Sequence, residues 1–590
     1  MDFKRLDAAR RAVGPIETDL IEAYASGKIN RRNFLRRGTI VGLSMPFMGA
    51  VIAACGSDDD ESSDTAAADD SGDASASDSA SASASEPAGE PTAGGELTAG
   101  IQAGDANSGL DPVNMLDLGT YAVVSSSFEY LVGLGDDGNI AATGLALDWT
   151  PNDDASQWTF NLREGVQWMG GEGLFTAADA AATIERMVTA GAGLAGVVDA
   201  GGAVAVDDTT LQIDLVSPNG NLPVLLSLFN PQALITPADY SSGTVLNDRP
   251  TGTGAWMLED FDPSSFRSTF VPNPDWWGGS VNLDRITLQG FETAGTKVAA
   301  MAAGEIDVLQ DFTVNDGANL LDDENFVVIR PPASNHRQLW FNTQLPEGGP
   351  FTDPRVRQAV CFAINREQIV STVYEGEAVI GNDHPVYETL PFFDSTQEQR
   401  PYDPEMARQL LSDAGYADGI EDVLQVGEIG EVPQIARIVA ANLAEVGINL
   451  EVGVTPNSDF YGEYWCVSGT QPDTVAPGIP CGATAPIGIV DYGHRPTPDI
   501  FFGRALATDG DWNSSNYASS EFDELFRAYQ SAVDVDGQLE AVSGIQRLLH
   551  EDAPACYHSF FNYLSGHSTN VSGMQTTALG HLLLQNASIS

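Results

Sequence analysis

The sequence predicts a mixed α/β protein built in more than one lobe, and three observations carry that prediction. The chain has 590 residues, too many for one core, since single cores stop growing near ~250–300 residues. From Glu96 onward, short β-like runs alternate with amphipathic helical segments. Residues 432–454 read as a helix stopping at Gly447 and running straight into a strand, an αβ unit. No repeat of ~20–50 residues is visible.

The elements follow in order. "LTAGIQ" (97–102) alternates as a strand, and "WTFNLREGVQW" (158–168) does so around a turn at Glu164-Gly165. Residues 177–189 carry apolar side chains at helical spacing, with Thr176 placed as N-cap. "DPRVRQAVCFAINREQIVSTVYEG" (353–376) predicts one helix, Pro354 suiting its first turn and Gly376 its stop. "EFDELFRAYQSAV" (521–533) and "QLEAVSGIQRLLHEDAP" (538–554) predict two more amphipathic helices.

Charge narrows the function. There are 83 acidic residues against 27 basic ones, a formal net charge of −56, and lysine occurs only at 4, 28 and 297. Nucleic acid is excluded as a partner, because its affinity comes from Lys and Arg neutralising phosphates. Docking on anionic lipid headgroups is excluded for the same reason. Residues 96–590 alone hold 67 acids and 18 bases, so the acidity belongs to the folded part. Self-repulsion of that size is destabilising in dilute buffer and is screened within about 10 Å at 0.1 M salt. The expectation is a protein adapted to saline surroundings; the competing reading is an acidic secreted protein indifferent to salt.

The first 54 residues read as an address. A basic stretch precedes an apolar run from Gly38 to Ala54, which Ser44, Pro46 and several glycines interrupt, leaving it short of the ~20 clean apolar residues of a spanning helix. Arg31-Arg32-Asn33-Phe34-Leu35-Arg36 resembles the twin-arginine export signal, whose machinery carries folded proteins. Ile52-Ala53-Ala54-Cys55 resembles a lipobox, in which the cysteine is acylated and becomes the new N-terminus. The alternative is a retained anchor helix. Residues 55–95 hold no aromatic and no large aliphatic side chain, and are expected to be a disordered acidic tether, since they bury too little to offset ordering entropy.

The folded part then carries a resemblance that composition does not supply. "LDPVNMLDLGTYAVVSSSFEYLVGLGDDGNIAATGLALDW", "WTFNLREGVQWMGGEGLFTAADAAATIERM", "PTGTGAWML" with "NPDWWGG" and "LDRI", "PFTDPRVRQAVCFAINREQIV", "YDPEMARQLLSDAGYADG" and "SEFDELF" occur in the order of the family 5 extracellular solute-binding proteins. These are the oligopeptide, dipeptide and nickel receptors of ABC importers. The resemblance runs over roughly 96–570. It implies a two-lobed, periplasmic-binding-protein-like α/β fold of the large class, its discontinuous lobes joined by hinge strands. Lobe I is expected over 96–130, 250–335 and 550–590, subdomain II over 131–249 and lobe II over 336–549. The implied function is capture of a small ligand, a peptide first, in an interlobe cleft, and its delivery to a permease and ATPase. A monomer on the outer face of the membrane is expected. A non-peptide solute (glycoside, opine or metal chelate) and a sensory role are the alternatives within that scaffold.

A secreted hydrolase is the alternative outside it, and the sequence opposes it. There is no G-x-S-x-G, H-E-x-x-H, Walker loop or C-x-x-C, and no two of the seven histidines have structural-zinc spacing. No catalytic residue, cofactor or metal is expected. In peptide-binding members a "W-x-x-D-Y" run holds the acid that meets the ligand ammonium, which must not be desolvated unpaired. Here that run maps to "PIGIVDYGHRPTP" and makes Asp491 the candidate, with Tyr492, His494 and Arg495 beside it. The family's tryptophan upstream is missing. The loop after "LDP" adds Met115, Leu116, Asp117 and Leu118, and Trp340 is expected to offer the ligand a flat apolar surface. Against these readings stand a salt-adapted surface acid at Asp491, a solvated Asp117, and a loop ion pair or cap at His494-Arg495. Trp276-Trp277 are assigned to the scaffold. With Cys55 acylated, four cysteines remain. Cys466–Cys481 is the favoured disulfide, and Cys361 and Cys556 either pair or stay buried thiols.

Overall fold

The computed structural model describes residues 93–590 apart from 105–109, 116, 136–138, 241–245, 332, 346–347, 391 and 466–484. The leader (1–54), the tether up to residue 92, and with them Arg31, Arg32 and Cys55, lie outside the described residues, as do Leu116, Cys466 and Cys481. Among the described residues no helix is long and apolar enough to cross a membrane.

Strand β1 (Glu96–Gln102) buries Leu97, Ala99 and Ile101 and leads to α1 (Leu118–Ser125). That helix starts where the Asp117 carboxylate accepts the Thr120 N–H at 2.8 Å. A separate antiparallel sheet follows, made of β2 (Ala146–Pro151), β3 (Gln157–Leu162), β4 (Val198–Ala205) and β5 (Thr210–Leu215) in the order β2-β3-β5-β4. Helix α2 (Ala177–Ala190) packs on it. Its start is a capping box between Thr176 and Asp179, and its end is Gly191 at φ 71°.

The chain then completes the first sheet with β6 (Trp256–Asp262), β7 (Arg267–Pro272), β8 (Arg285–Phe291), helix α3 (Ala294–Ala302), β9 (Val308–Phe312) and β10 (Phe326–Ile329). The second lobe comprises β11 (His336–Phe341), α4 (Pro354–Ala363), α5 (Arg366–Val373), β12 (Ala378–Ile380), α6 (Pro404–Asp413), β13 (Ile420–Gly427), α7 (Val432–Ala444), β14 (Ile448–Thr455), β15 (Ile487–Tyr492), α8 (Ser520–Ser531), α9 (Val535–Asp552) and β16 (Ala555–Phe561). Strand β17 (Leu564–Ser568) returns to the first sheet. The sheets run β10-β17-β9-β1-β8-β7-β6 and β12-β16-β11-β15-β13-β14. Each has a parallel heart, β9-β1-β8 in the first and β15-β13-β14 in the second.

The lobes are therefore discontinuous, and the chain crosses between them twice, at 330–335 and at Asn562-Tyr563. The return falls later than residue 550, because β16 pairs with β11 and β12 inside the second sheet. Apolar residues of the first sheet and of the β2–β5 subdomain share one core, so the subdomain belongs mechanically to the first lobe. Cys361 on α4 and Cys556 on β16 form a disulfide with Cα atoms 5.8 Å apart, which fastens a helix to the second sheet. The expected single helix over 353–376 is two helices. Ile364 turns to extended geometry and Asn365 caps the second, accepting the Gln368 N–H at 2.9 Å.

Candidate ligand-binding site

The C-terminal ends of β9 and β15, and the residues that follow β13, meet between the lobes, the place where open α/β sheets hold ligands. A cavity of about 270 Å³ lies there. Asp311, Thr313 and Asn315, at the end of β9, form its first-lobe wall, and Arg337, Glu431 and Asp491 its second-lobe wall. Strand register explains the second wall. In the antiparallel pair β11–β15, Arg337 stands opposite Asp491 and His336 opposite Tyr492. The period of two then sends the first pair to one face and the second to the other.

On the cavity face, Arg337 and Glu431 form an ion pair of 2.9 Å, and the Tyr374 hydroxyl donates to the same carboxylate at 3.1 Å. Phe561 backs both: the Arg337 guanidinium lies 4.6 Å from its ring centroid, and Tyr374 stacks on it at 5.1 Å. Glu377 of the wall is chelated by Arg330 at 2.7 and 2.9 Å, and Asp311 is paired with Lys297. Asp491 differs from these three acids. Among the described residues its hydrogen-bond donor is a neutral hydroxyl, that of Tyr461, and Arg337, paired with Glu431, is its electrostatic neighbour. Burial, and then the Asp491 charge, push the Tyr461 phenol far above its ordinary pKa, so it stays a donor.

On the opposite face, Tyr492 is buried beside His336, Phe501 and Trp512, so it serves the core and offers the cavity no ring. Burial depresses His336 to about 3, keeping it neutral inside that aromatic cluster. Trp340 is likewise enclosed, at 0% exposure. It occupies the space above Gly488, where an added Cβ would meet its ring at 2.3 Å. The ligand-facing role expected of Trp340 is corrected here, and the missing upstream tryptophan has its reason: Gly488 leaves room for this one.

His494 and Arg495 follow β15 and hold the crossing segment. The Ser334 N–H donates to His494 Nδ1 at 3.0 Å, and the His494 N–H to Asn335 Oδ1 at 2.7 Å. Burial lowers His494 to about 3, which keeps that nitrogen an acceptor. Arg495 gives its N–H to Ser334 Oγ at 2.9 Å and one guanidinium N–H to the His494 carbonyl at 2.7 Å. Among the described residues no carboxylate lies within ion-pair range of it, and Tyr121 of α1 is its electrostatic neighbour from the first lobe. Met115 is fully buried. Asp117 caps α1, and the Leu118 carbonyl accepts from Gln310 Nε2 at 3.1 Å.

A larger cavity, about 610 Å³, opens on the first lobe against Glu129, Trp276 and Trp277. Its carboxylate already takes both indole N–H groups, at 3.2 and 2.7 Å, so the smaller interlobe cavity is the better candidate. Sequence reasoning reached Asp491 but missed Arg337, Tyr374, Glu431 and Tyr461. The one signal for Arg337 is a charge inside an otherwise buried strand, HRQLWF.

Comparison with known proteins matches residues 141–476 to the family described as bacterial extracellular solute-binding proteins, family 5 Middle. A glutathione-binding protein, GsiB of Salmonella paratyphi A, is 25% identical over 487 residues, covering 80% of this chain and 91% of its own. The dipeptide-binding protein of Escherichia coli K12 is 24% identical over 483 residues, covering 76% and 86%. Among solved structures, HbpA2 from Haemophilus parasuis aligns with a TM-score of 0.71 at 20% identity, covering 84% of this chain and all of its own.

Proposed function

Because the chain belongs to the bacterial extracellular solute-binding proteins of family 5, non-enzymatic receptors that serve ABC importers, we propose that it captures a small ligand with a free ammonium group. A short peptide is the first candidate, held between the lobes against Asp491 and handed to a permease and ATPase. The observation that carries this reading is the charge pattern of the cavity wall. Asp311, Glu377 and Glu431 each form a salt bridge, whereas among the described residues Asp491 has the Tyr461 hydroxyl and, as an electrostatic neighbour only, Arg337, which is already paired with Glu431. A ligand ammonium would give Asp491 a direct charged partner in a site where an unpaired charge is costly. Relatives named for glutathione and for a dipeptide support a peptide.

Arg495 does not line this cavity; among the described residues no carboxylate pairs with it, so an acidic ligand group reaching past Gly493 is the partner it would take. An opine meets the same demand, and a family-fold structure holds agropinic acid. Replacing Asp491→Asn is expected to weaken a free-amine peptide tenfold or more, about 1.4 kcal/mol, and to leave an N-acetylated peptide unaffected. Unchanged affinity for the free amine in calorimetry removes Asp491 from the site.

The same proposal places the receptor outside the cytoplasm as a monomer, exported folded through Arg31-Arg32 and held to the membrane by acylated Cys55, in saline surroundings. Native mass spectrometry of the protein from its own host reads two things at once: the co-purified ligand and the mature N-terminus. A mature chain that retains residues ahead of Cys55 would end the lipid-anchor reading.

A further inference from the structure

The turn 219–221, between β5 and the short helix Leu222–Leu225, touches the second lobe far along the chain from either crossing. The Asn221 side chain is used at both ends. Its Nδ2 donates to the Asp499 carboxylate at 3.0 and 3.1 Å and to the Tyr529 hydroxyl at 3.0 Å. Its Oδ1 accepts from Gln538 Nε2 at 3.0 Å. The Gly220 N–H donates to the Gln530 carbonyl at 2.7 Å, a backbone bond between lobes. Asn219 braces the turn from below: its Oδ1 accepts the Asn221 N–H at 2.8 Å, and its carbonyl takes the Trp158 indole N–H at 3.0 Å. Asn219, Asn221, Tyr529 and Gln538 are all buried.

Gly220 is the tightest point. Its φ lies outside the left-handed region, so no backbone strain demands glycine there. A Cβ on it, however, would sit 2.0 Å from the carbonyl oxygen of Ala532, far inside contact distance. The demand for glycine comes from the other lobe.

We propose that the turn 219–221 is a clasp, a third and non-covalent joint between the lobes, and that Gly220 and Asn221 are positioning residues which fix the interlobe angle. Two chain crossings leave the lobes free to rotate about the hinge. A third point of attachment restrains that rotation, so the clasp governs how far the binding cleft opens before any ligand arrives. The inference concerns lobe movement in the solute-binding reading, but its test needs no ligand and fails independently of Asp491.

The test uses the full chain without ligand, as Gly220→Ala and Asn221→Asp. Each substitution leaves its own lobe's packing alone: alanine suits the Gly220 backbone, and aspartate has the shape of asparagine. In both, hydrogen–deuterium exchange is expected to rise in peptides covering 217–224 and 526–540 while the two sheets keep their protection, and the small-angle-scattering radius of gyration is expected to increase. The titratable groups around Asn221 are Asp499 and Tyr529. The carboxylate introduced by Asn221→Asp repels Asp499 at about pH 8 but shares a proton with it near pH 5, so that variant alone is expected to regain the wild-type radius on acidification. Wild-type protection and radius in both variants would overturn the clasp. Loss of protection spread through the sheets would assign Gly220 to folding and overturn it equally.

Discussion

Glu129 shows how a single buried acid sets a pH dependence. Desolvation pushes its carboxyl up to about 7, against the opposing pull of the Trp277 and Trp276 donors and Arg163. The unfolded chain releases the same proton in the ordinary carboxylate range near ~4.3. The folded state therefore binds more protons between those values, and stability declines as pH rises through that window. Glu129→Gln keeps an acceptor for an indole and removes the ionisation. Its melting temperature is expected to match wild type at about pH 4 and to exceed it at about pH 8; equal melting at both would show that the carboxylate is not desolvated. At this scale the sequence was only partly readable. Asp491 could be found through the motif around it, but Glu431 and Arg337 meet across 94 positions of chain, and nothing local marks one acid among 83 as paired. Trp340 misled because an aromatic in a strand reads the same whether it faces a cleft or fills the space above a glycine.

Elements were legible where their signals are local. The N-cap at Thr176 lies where the pattern put it, and the helix read as stopping at Gly447 (φ 91°) ends three residues earlier, at Ala444. The break at Ile364-Asn365 was hidden because the apolar period continues through it, while Asn365 offers the backbone an alternative cap. The return crossing was placed too early for a related reason: β16 follows α9 closely, and only sheet pairing reveals its lobe. The disulfide lies at the same scale, since it ties α4 to β16 across 195 residues. Closing a loop of that size removes chain entropy worth about 5 kcal/mol from the unfolded state. The double variant Cys361→Ala, Cys556→Ala is expected to lose about 2–5 kcal/mol of stability in denaturant titration. A change below ~1 kcal/mol would mean that the second lobe does not depend on the bond.

Over the whole molecule two electrostatic effects compete, and salt separates them. Five of the seven histidines (336, 384, 494, 558 and 581) are held by burial at about 3 to 4, below the ordinary ~6.5. The unfolded state then binds more protons below that value, so the stability these side chains contribute is complete above about pH 6.5 and drains away as pH falls toward 4. Desolvation causes this, and mobile ions do not reach buried rings. The net charge of −56 acts differently: it is spread over the surface, opposes the compact state at neutral pH, and is screened within about 8 Å at physiological ionic strength. Calorimetry from about 0.05 to 2 M sodium chloride at pH 7.5 is accordingly expected to show a rising melting temperature, most steeply at the low end, where the screening length shrinks fastest. Repeated at about pH 5, the melting temperature is expected to be lower at every salt concentration, because the histidine contribution is then partly lost and salt cannot restore it. A flat or falling melting temperature with salt at pH 7.5 would remove the proposal of saline adaptation and leave the acidity of the folded part as a property of solubility alone.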